Sequence, residues 1–192
     1  MVLKNLVKAI SNYVTLIDDD IILIEKLFEI KELRKDECFL EPGKICNKFA
    51  FVNKGLFRHS IFNDGEEKTI YFSSDNDFIC DYESFINKID SKKAITAMEN
   101  TTIAFISYRN MQIFYNKVSS GERFGRLLLE EIYVKVINHI ISSHIDSAEQ
   151  KYLNFLTSYM HIQQRIPQYY IASFVGVTPQ SLSRIRRNLV KK

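Results

Sequence analysis

The sequence predicts an α+β protein in which short strands form a small barrel or sandwich between helical segments. Apolar residues recur at steps of three and four near the N-terminus, alternate singly from about residue 30 to residue 107, and return to the helical period after Tyr108. Glycine-containing turns separate the alternating runs. The stretch from Lys151 to Lys192 holds seven Lys and Arg residues and no Asp or Glu, which is typical of a surface that meets phosphates.

The composition is that of a globular protein with an uneven charge distribution. The chain has 192 residues, 46% of them hydrophobic and 26% charged, which suffices for one domain with a sizeable core or for two small domains. Residues 145–192 contain seven basic and two acidic residues, a net charge of +5, whereas residues 1–144 contain nineteen and twenty-one, a net charge of −2. This asymmetry indicates a nearly neutral body that carries a nucleic-acid-binding module.

The cellular setting follows from what the sequence lacks. It has no apolar run of about 20 residues and no secretory signal pattern, so we expect a cytoplasmic protein with no membrane partner. Its three cysteines, Cys38, Cys46 and Cys80, are scattered, which favours reduced thiols in or near the core over a disulfide framework or metal ligands. We expect no metal and no bound cofactor.

Two helices are predicted before the strands. The first carries apolar residues at helical spacing, namely Leu3, Leu6, Val7, Ile10 and Val14. The run Asp18–Asp20 offers an N-cap and an acidic first turn for the second, whose inward residues are Ile21, Ile24, Leu27 and Phe28.

The barrel is predicted over residues 30–107. Alternating runs lie at 49–52, 56–60 and 68–72, and two further short strands are expected near 94–98 and 103–107. Turn signals occur at 41–43, 53–55 and 63–65. The Asp64-Gly65 pair is a strong hairpin signal because both central positions favour a positive φ.

A long helix is predicted from Glu122 to about Ser143, after a short one at 108–118. It spans about 30 Å, and its apolar residues cover more than one stripe. One face can lie on the barrel. The other needs a second partner, and the simplest is the same helix of a twin subunit; the alternative is that the C-terminal domain covers it.

The C-terminal part reads as a pair of short helices around a glycine. A helix is predicted from 146 to 161, and Arg165-Ile166-Pro167 then breaks the helical pattern. The segment Gln168–Leu189 follows. Gly176 can adopt a left-handed conformation, Thr178 is a good N-cap and Pro179 suits the first helical position. The inward residues of the pair are Ile171, Ala172, Val175, Leu182 and Ile185.

The second of these helices carries the predicted DNA contacts. Arg184 can bond to guanine in a bidentate manner, and Gln180 can pair with adenine. Thr178, Ser181, Arg186 and Arg187 suit phosphates, as do Lys191 and Lys192. The predicted DNA-binding residues are Thr178, Gln180, Ser181, Ser183, Arg184, Arg186 and Arg187. The alternative is a solvated amphipathic helix whose terminal cations complement the helix dipole.

Six sequence motifs in this order resemble the Crp/Fnr family of bacterial transcription regulators. The family's β-roll landmarks are similar to EPG at 41–43, FVNKG at 51–55, NDG at 63–65 and NDFI at 76–79. The family's segment that leads from the roll to the dimer helix is similar to SYRNMQIFY at 107–115. Its helix-turn-helix is similar to IASFVGVTPQSLSRI at 171–185.

The resemblance implies a domain organisation and partners. We expect a β-roll sensor domain with N-terminal helices over residues 1–118, a dimerisation helix over 119–144, and a winged-helix-like helix-turn-helix domain over 145–192. A homodimer would read a near-palindromic operator in double-stranded DNA, with half-sites about one helical turn apart. RNA polymerase is a further candidate partner. Since the sequence given ends at Lys192, we expect the family's terminal hairpin wing to be truncated.

The resemblance also implies base contacts from Gln180, Ser183 and Arg184, with one departure from the family pattern. The Fnr-like pattern is Glu-x-x-Ser-Arg, and this chain has Gln180 in place of the Glu. Glutamate accepts from cytosine whereas amides favour adenine. The hypothesis is therefore an operator that differs from the Fnr type at that base pair.

The sensor cassette departs further. Cyclic-nucleotide-binding members carry a pattern that resembles Gly-Glu-x-x followed by Arg-Ser/Thr-Ala, where Glu holds the ribose and Arg the phosphate. The matching residues here are Cys80, Asp81 and Lys92-Lys93, and lysine does not replace a bidentate guanidinium. We expect a small-molecule effector other than cyclic AMP, or none. The residues expected to line its pocket are Phe72, Ile79, Asp81, Tyr82, Lys92 and Lys93.

Other functions have less support in the sequence. Iron–sulfur sensing needs clustered cysteines. His59, the one histidine in the barrel, is more typical of a surface or hydrogen-bonded residue than of a haem ligand. Catalysis lacks convergent ligands or a nucleophile–base pair, so we expect no enzyme. The alternative to a DNA-binding regulator is a small-molecule sensor whose helix-turn-helix contacts proteins.

Overall fold

The computed structural model describes residues 1–63 and 65–190. Two helices come first, α1 (Val2–Ser11) and α2 (Asp18–Leu27). Helix α1 turns Leu6 and Ile10 into the core, and α2 turns in Ile24, as their apolar spacing predicts. Both helices are therefore part of the roll's core and not a separate unit.

The strands form two antiparallel sheets of four strands each. In chain order they are β1 (Glu29–Leu33), β2 (Cys38–Leu40), β3 (Lys48–Lys54), β4 (Leu56–Asn63), β5 (Glu66–Ser74), β6 (Phe78–Ile79), β7 (Lys93–Ala97) and β8 (Thr101–Ser107). One sheet has the order β1-β8-β3-β6 and the other the order β2-β7-β4-β5. This is the predicted β-roll, and its limits agree with the change of hydrophobic period at residues 30 and 107.

The predicted hairpin turn joins β4 to β5, where Asn63 pairs with Glu66. Gly65 has a φ of +81°, the positive value that the turn signal requires. Asp64, the other half of the signal, lies outside the described residues.

The main core fills the space between the two sheets and the N-terminal helices. Phe51, Phe57, Phe85 and Phe114 are among its fully buried side chains. The aromatic rings meet edge to face, as Phe114 does with Phe124 at a centroid distance of 5.8 Å, an arrangement that aromatic quadrupoles favour.

The remaining helices lie beside and beyond the roll. They are α3 (Tyr82–Asn87), α4 (Tyr108–Lys117), α5 (Gly121–Ile145), α6 (Ala148–Ser158), α7 (Gln168–Val175) and α8 (Pro179–Val190), with a single 3-10 turn at Gln163–Arg165. The described residues after α5 contain no strand, so the structure gives the helix-turn-helix no wing within residues 146–190.

Helix α5 is buried only at its start. Phe124 and Leu128 pack in the main core, whereas the rest of the helix projects from the roll with its apolar side chains exposed. These residues are Ile132, Tyr133, Val134, Val136, Ile140, Ile141 and Ile145. The alternative that the C-terminal helices cover this apolar surface does not match the structure, because those helices face a more polar side of α5.

A second core joins the C-terminal helices to the roll. Phe155 of α6, Ala172 of α7 and Leu182 of α8 are buried together with Leu56 of β4 and Phe72 of β5. The predicted boundary at residue 145 separates chain segments that share this core, so helices α6, α7 and α8 are held against the outer face of the second sheet.

A buried carboxylate in α2 connects the N-terminal helices to the start of α5. Asp20 accepts hydrogen bonds from Ser119 N–H at 2.8 Å, from the Ser119 hydroxyl and from Ile17 N–H at 3.1 Å. Replacing Asp20 with Ala leaves buried donors without an acceptor. We expect Asp20→Ala to lower the free energy of unfolding by about 2–4 kcal/mol, measured by urea denaturation.

The matched control is Asp19→Ala, since Asp19 is exposed in the same helical turn and should cost at most about 1 kcal/mol. Equal losses for the two variants would contradict the role given to Asp20.

Candidate nucleic-acid interface

The turn between α7 and α8 has the geometry that the sequence predicts. Gly176 ends α7 with a φ of +80°, and the N–H groups of Gly176 and Val177 both donate to the Ala172 carbonyl at 3.0 Å. A left-handed residue after a helix satisfies its last carbonyls in this way. Ala172 is fully buried, which allows α8 to cross close to α7.

The start of α8 is capped by Thr178. Its hydroxyl accepts a hydrogen bond from Ser181 N–H at 3.2 Å and donates to the Ser181 hydroxyl at 3.0 Å. Leu182 then turns into the second core, and Ile185 packs partly against it. Helix α8 is thus fixed by one apolar side, and its other side is free.

The free side carries the predicted contacts. Gln180, Ser183, Arg184, Arg186 and Arg187 are all exposed, as is Thr178, and Ser181 is half-buried. Ser183, Arg186 and Arg187 border a shallow groove of about 330 Å³ on this side. Lys191 and Lys192, also predicted to serve phosphates, lie outside the described residues.

The three guanidinium groups of α8 have no anionic partner. Among the residues that the structure describes, Arg184, Arg186 and Arg187 make no ion pair and no side-chain hydrogen bond. Arg165, in contrast, is neutralised by two carboxylates of the roll, Asp75 at 3.2 Å and Glu99. The uncompensated positive charge in this part of the structure is therefore concentrated on α8.

Helix α7 is anchored to the roll by polar contacts as well as apolar ones. The Thr69 N–H on β5 donates to the Ser173 hydroxyl at 2.9 Å. The Arg58 guanidinium lies 4.1 Å from the Tyr170 ring centre, a cation–π contact. These contacts were not predicted, because nothing in the spacing of Arg58 or Thr69 indicates which element covers their sheet.

The sensor cassette contains an ion pair between a buried carboxylate and a partly exposed lysine. Asp81 is 2% exposed, and its two oxygens accept hydrogen bonds at 2.6 Å from the Ser91 hydroxyl and from Lys93 Nζ. The cation that would take a cyclic phosphate is thus already paired with a carboxylate of the same cassette. The residues present do not resemble a vacant phosphate site.

The residues predicted to line an effector pocket have different surroundings. Asp81 and Lys93 form the pair just described, Ile79 lies in the main core, and Lys92 is exposed. Tyr82 lines a shallow groove beside Gly125 of α5. The Phe72 ring faces the C-terminal helices, where it contacts Phe155 and Tyr159.

His59 is a hydrogen-bonded residue of the roll. It is 8% exposed, and its Nε2 lies 2.9 Å from the Ser73 hydroxyl. Burial, with the nearby charge of Lys93, lowers the pKa of His59 to about 3, so the ring is neutral at physiological pH. Among residues 1–63 and 65–190 no cluster of His, Cys, Asp or Glu is arranged to hold a metal ion.

Comparison with known proteins identifies the domain and the fold. Residues 30–117 match the family model of the cyclic nucleotide-binding domain. No curated protein matches the chain. Within the described residues, no helix has the length and apolar character needed to cross a membrane.

Several solved structures share the fold over most of the chain. A CooA variant from Carboxydothermus hydrogenoformans is 20% identical and has a TM-score of 0.69, with 88% of this chain and 78% of that chain covered. The c-di-GMP-responsive global regulator CLP from Xanthomonas campestris is 14% identical with a TM-score of 0.70 and coverages of 90% and 91%. A putative Crp/Fnr-family regulator from Eubacterium rectale is 19% identical with a TM-score of 0.70 and coverages of 90% and 83%. These likenesses confirm the predicted fold class.

The turn glycine offers a local test of this geometry. A Cβ at residue 176 would meet no atom within 4 Å, so only the positive φ opposes a side chain. We expect Gly176→Ala to lower the free energy of unfolding by about 1–2 kcal/mol, measured by thermal or urea denaturation.

Gly176→Asn is the matched control, because asparagine tolerates the left-handed region better than alanine does, and we expect a smaller loss. If alanine were tolerated as well as asparagine, the left-handed turn would be contradicted.

Proposed function

We propose that this chain, whose resemblance to the Crp/Fnr regulators is confirmed at the level of domain and fold, is a DNA-binding transcription regulator. The observation that carries the proposal is the exposed side of α8, where Arg184, Arg186 and Arg187 have no anionic partner among residues 1–63 and 65–190. A helix fixed by its apolar side and basic on its free side suits the major groove of duplex DNA.

The residues of α8 divide between bases and phosphates. Gln180, Ser183 and Arg184 would meet base edges, and Arg184 has the fork geometry for guanine. Arg186 and Arg187 would meet phosphates. Because the Thr178 hydroxyl is engaged in capping, its contribution to phosphate binding would come chiefly through the backbone N–H groups that it holds at the start of the helix.

The same proposal includes a homodimer formed through α5. Leu129, Tyr133, Val136 and Ile140 recur at helical spacing, and the last three are 46–67% exposed. A twin helix is the partner that covers such a stripe symmetrically. A twofold dimer would read a near-palindromic operator with half-sites about 34 Å apart.

The effector is proposed to differ from cyclic AMP. Lys93 is committed to Asp81, and lysine lacks the fork that a cyclic phosphate receives from arginine. A cyclic nucleotide would have to displace Lys93 from Asp81 to bind in this cassette, which would leave the buried Asp81 carboxylate without its cation.

Two further parts of the proposal concern the setting of the regulator. It acts in the cytoplasm without catalysing a reaction, and it influences RNA polymerase at the promoters that it binds. The alternative function, a sensor whose helix-turn-helix contacts proteins, requires α8 to bind no DNA.

The dimer can be tested with one substitution on each side of α5. Ile140→Asp places a charge in the apolar stripe, so we expect sedimentation velocity to show a monomer, or a dimer at least about tenfold weaker. Asn138 lies on the opposite side of the same helix, and Asn138→Asp should leave the dimer intact. A stable Ile140→Asp dimer would rule out this interface.

The base contact can be tested by replacing Arg184 with Ala. We expect a loss of about 1–3 kcal/mol in binding to a selected operator, with a relaxed preference at one base pair. Fluorescence anisotropy against a panel of operators substituted at single positions measures both effects. The control is Arg123→Ala, which removes an exposed arginine from α5.

Unchanged specificity in Arg184→Ala would refute the contact. Wild-type protein that selects no DNA sequence would favour the protein-contact alternative.

A further inference from the structure

A cavity of about 720 Å³ lies between the roll and the C-terminal helices. Strand β5 contributes Tyr71 and Phe72, and helices α5, α6 and α7 supply most of the other walls. The cassette residues Asp81 and Lys93 do not line it, whereas Phe72, also expected in the effector pocket, does. Its volume is in the range of small-molecule sites in proteins.

One wall of the cavity is aromatic. The Tyr71 and Tyr159 rings lie 6.1 Å apart, Tyr159 and Phe174 lie 5.7 Å apart, and His139 lies 5.2 Å from Phe174. These rings belong to the roll, α6, α7 and α5 in turn. They present faces and edges on which a flat ring can pack with favourable quadrupole geometry.

The opposite wall is polar and carries one cation that has no anionic partner among the described residues. Lys135, Lys151 and Asp77 line it. Lys135 Nζ is paired with Glu131, so the unpaired cation is Lys151. Burial raises the pKa of Asp77 despite the hydrogen bond from Ser74 N–H at 2.7 Å. Lys151 Nζ donates to the Ser143 carbonyl at 2.8 Å, which leaves further N–H donors for an anion.

The cavity remains open to a ligand in the proposed dimer. Lys135, Asn138 and Ser142 recur on one side of α5, about half a turn from the stripe that contains Tyr133 and Ile140. A partner helix on that stripe would therefore not occupy the cavity. The Asn138 side chain makes no hydrogen bond in the described structure and is available to a ligand.

We propose that this cavity binds a small aromatic anion. The ring packs among Tyr71, Tyr159 and Phe174, and the carboxylate or equivalent group faces Lys151. Such a ligand contacts the roll, the long helix and the helix-turn-helix together. Its binding therefore affects how tightly α7 packs against the roll. The binding site itself does not depend on DNA binding.

The test is isothermal titration calorimetry of the full chain with 2-naphthoate as the probe. We expect one site per chain with a Kd below about 1 mM. The uncharged analogue 2-naphthalenemethanol should bind at least about tenfold more weakly, because it lacks the charge-assisted hydrogen bonds.

Two variants and a control locate the site. Asn138→Trp fills the cavity and Lys151→Gln removes a cation, and we expect at least about tenfold weaker binding of 2-naphthoate in each. Arg123→Trp places the same ring elsewhere on α5 and should bind as the wild type does. Absence of binding, or equal binding by Asn138→Trp, overturns the proposal.

A second, independent inference concerns two thiols. The Sγ atoms of Cys46 and Cys80 lie 3.7 Å apart, although the residues are far apart in sequence. Cys46 is 2% exposed and Cys80 is half-buried. The hydrogen bond from the Cys80 thiol lowers the pKa of Cys46 to about 7, in spite of its burial. A fraction of Cys46 is therefore thiolate near neutral pH, beside a resolving thiol.

We infer that Cys46 and Cys80 form an intramolecular disulfide when a peroxide oxidises them. The Cys46 thiolate attacks one peroxide oxygen to give a sulfenic acid, and the other oxygen leaves as water after protonation. The Cys80 sulfur then attacks the sulfenic sulfur, the S–S bond forms, and the second oxygen leaves as water. One hydrogen peroxide is reduced for each disulfide.

Peptide mapping by mass spectrometry after treatment with equimolar hydrogen peroxide tests this inference. We expect a linked Cys46–Cys80 peptide, with Cys38 still open to alkylation, since Cys38 Sγ contacts Thr96 and no other thiol. Cys38→Ser should keep the link and Cys46→Ser should lose it. A link through Cys38, or two thiols that remain free, would refute the pairing.

Discussion

The packing of α7 against β5 is the constraint on which the rest of the structure depends. Phe72 is 1% exposed between the roll and Phe155, Tyr159 and Phe174, and its burial alone is worth about 2–3 kcal/mol. Because α8 is held to α7 by Leu182, fixing α7 also fixes the direction of the basic side of α8. That side is left to solvent, where phosphates can reach it.

The same packing explains how charge is distributed over the C-terminal helices. Arg165 and Arg58 are used to join the helices to the roll, through carboxylates and the Tyr170 ring. Both guanidinium groups therefore have partners within the molecule. The arginines of α8 have no such partner among the described residues, so a positive surface remains on the element whose shape suits a groove. Anchoring uses Arg58 and Arg165, whereas the proposed recognition of DNA uses the arginines of α8.

The parts of the fold that depend on local sequence could be predicted. Gly176, Thr178 and Leu182 define the helix-turn-helix because a left-handed residue, a cap and an apolar contact must each stand at a set spacing. Strands β3, β4, β5, β7 and β8 were predicted because alternation and positive-φ turns are local too, whereas β1, β2 and β6 were not. The cap of α2 differs from the prediction. Ile17 occupies the N-cap position, and its N–H donates a hydrogen bond to the Asp20 carboxylate.

The parts of the fold that depend on contacts between residues distant in sequence could not be predicted. The contacts of Phe72 with the C-terminal helices are an example, because alternation does not say what covers each face of a strand. In β5 the last three residues are all buried, since the roll covers one face and the C-terminal helices the other. The approach of Cys46 to Cys80 and the cavity beside Tyr71 arise in the same way. The consecutive apolar residues Ile70, Tyr71 and Phe72 were the available sequence signal that both faces of β5 are covered.

The salt dependence of DNA binding tests the central claim most directly. If the guanidinium groups of α8 meet a duplex, the affinity for promoter DNA should fall by about 10³–10⁵ between 50 and 200 mM salt for six to ten phosphate contacts. The slope should become shallower by about one for each phosphate contact removed in Arg186→Ala and Arg187→Ala. Binding that is insensitive to salt, or slopes unchanged by these substitutions, would contradict the account.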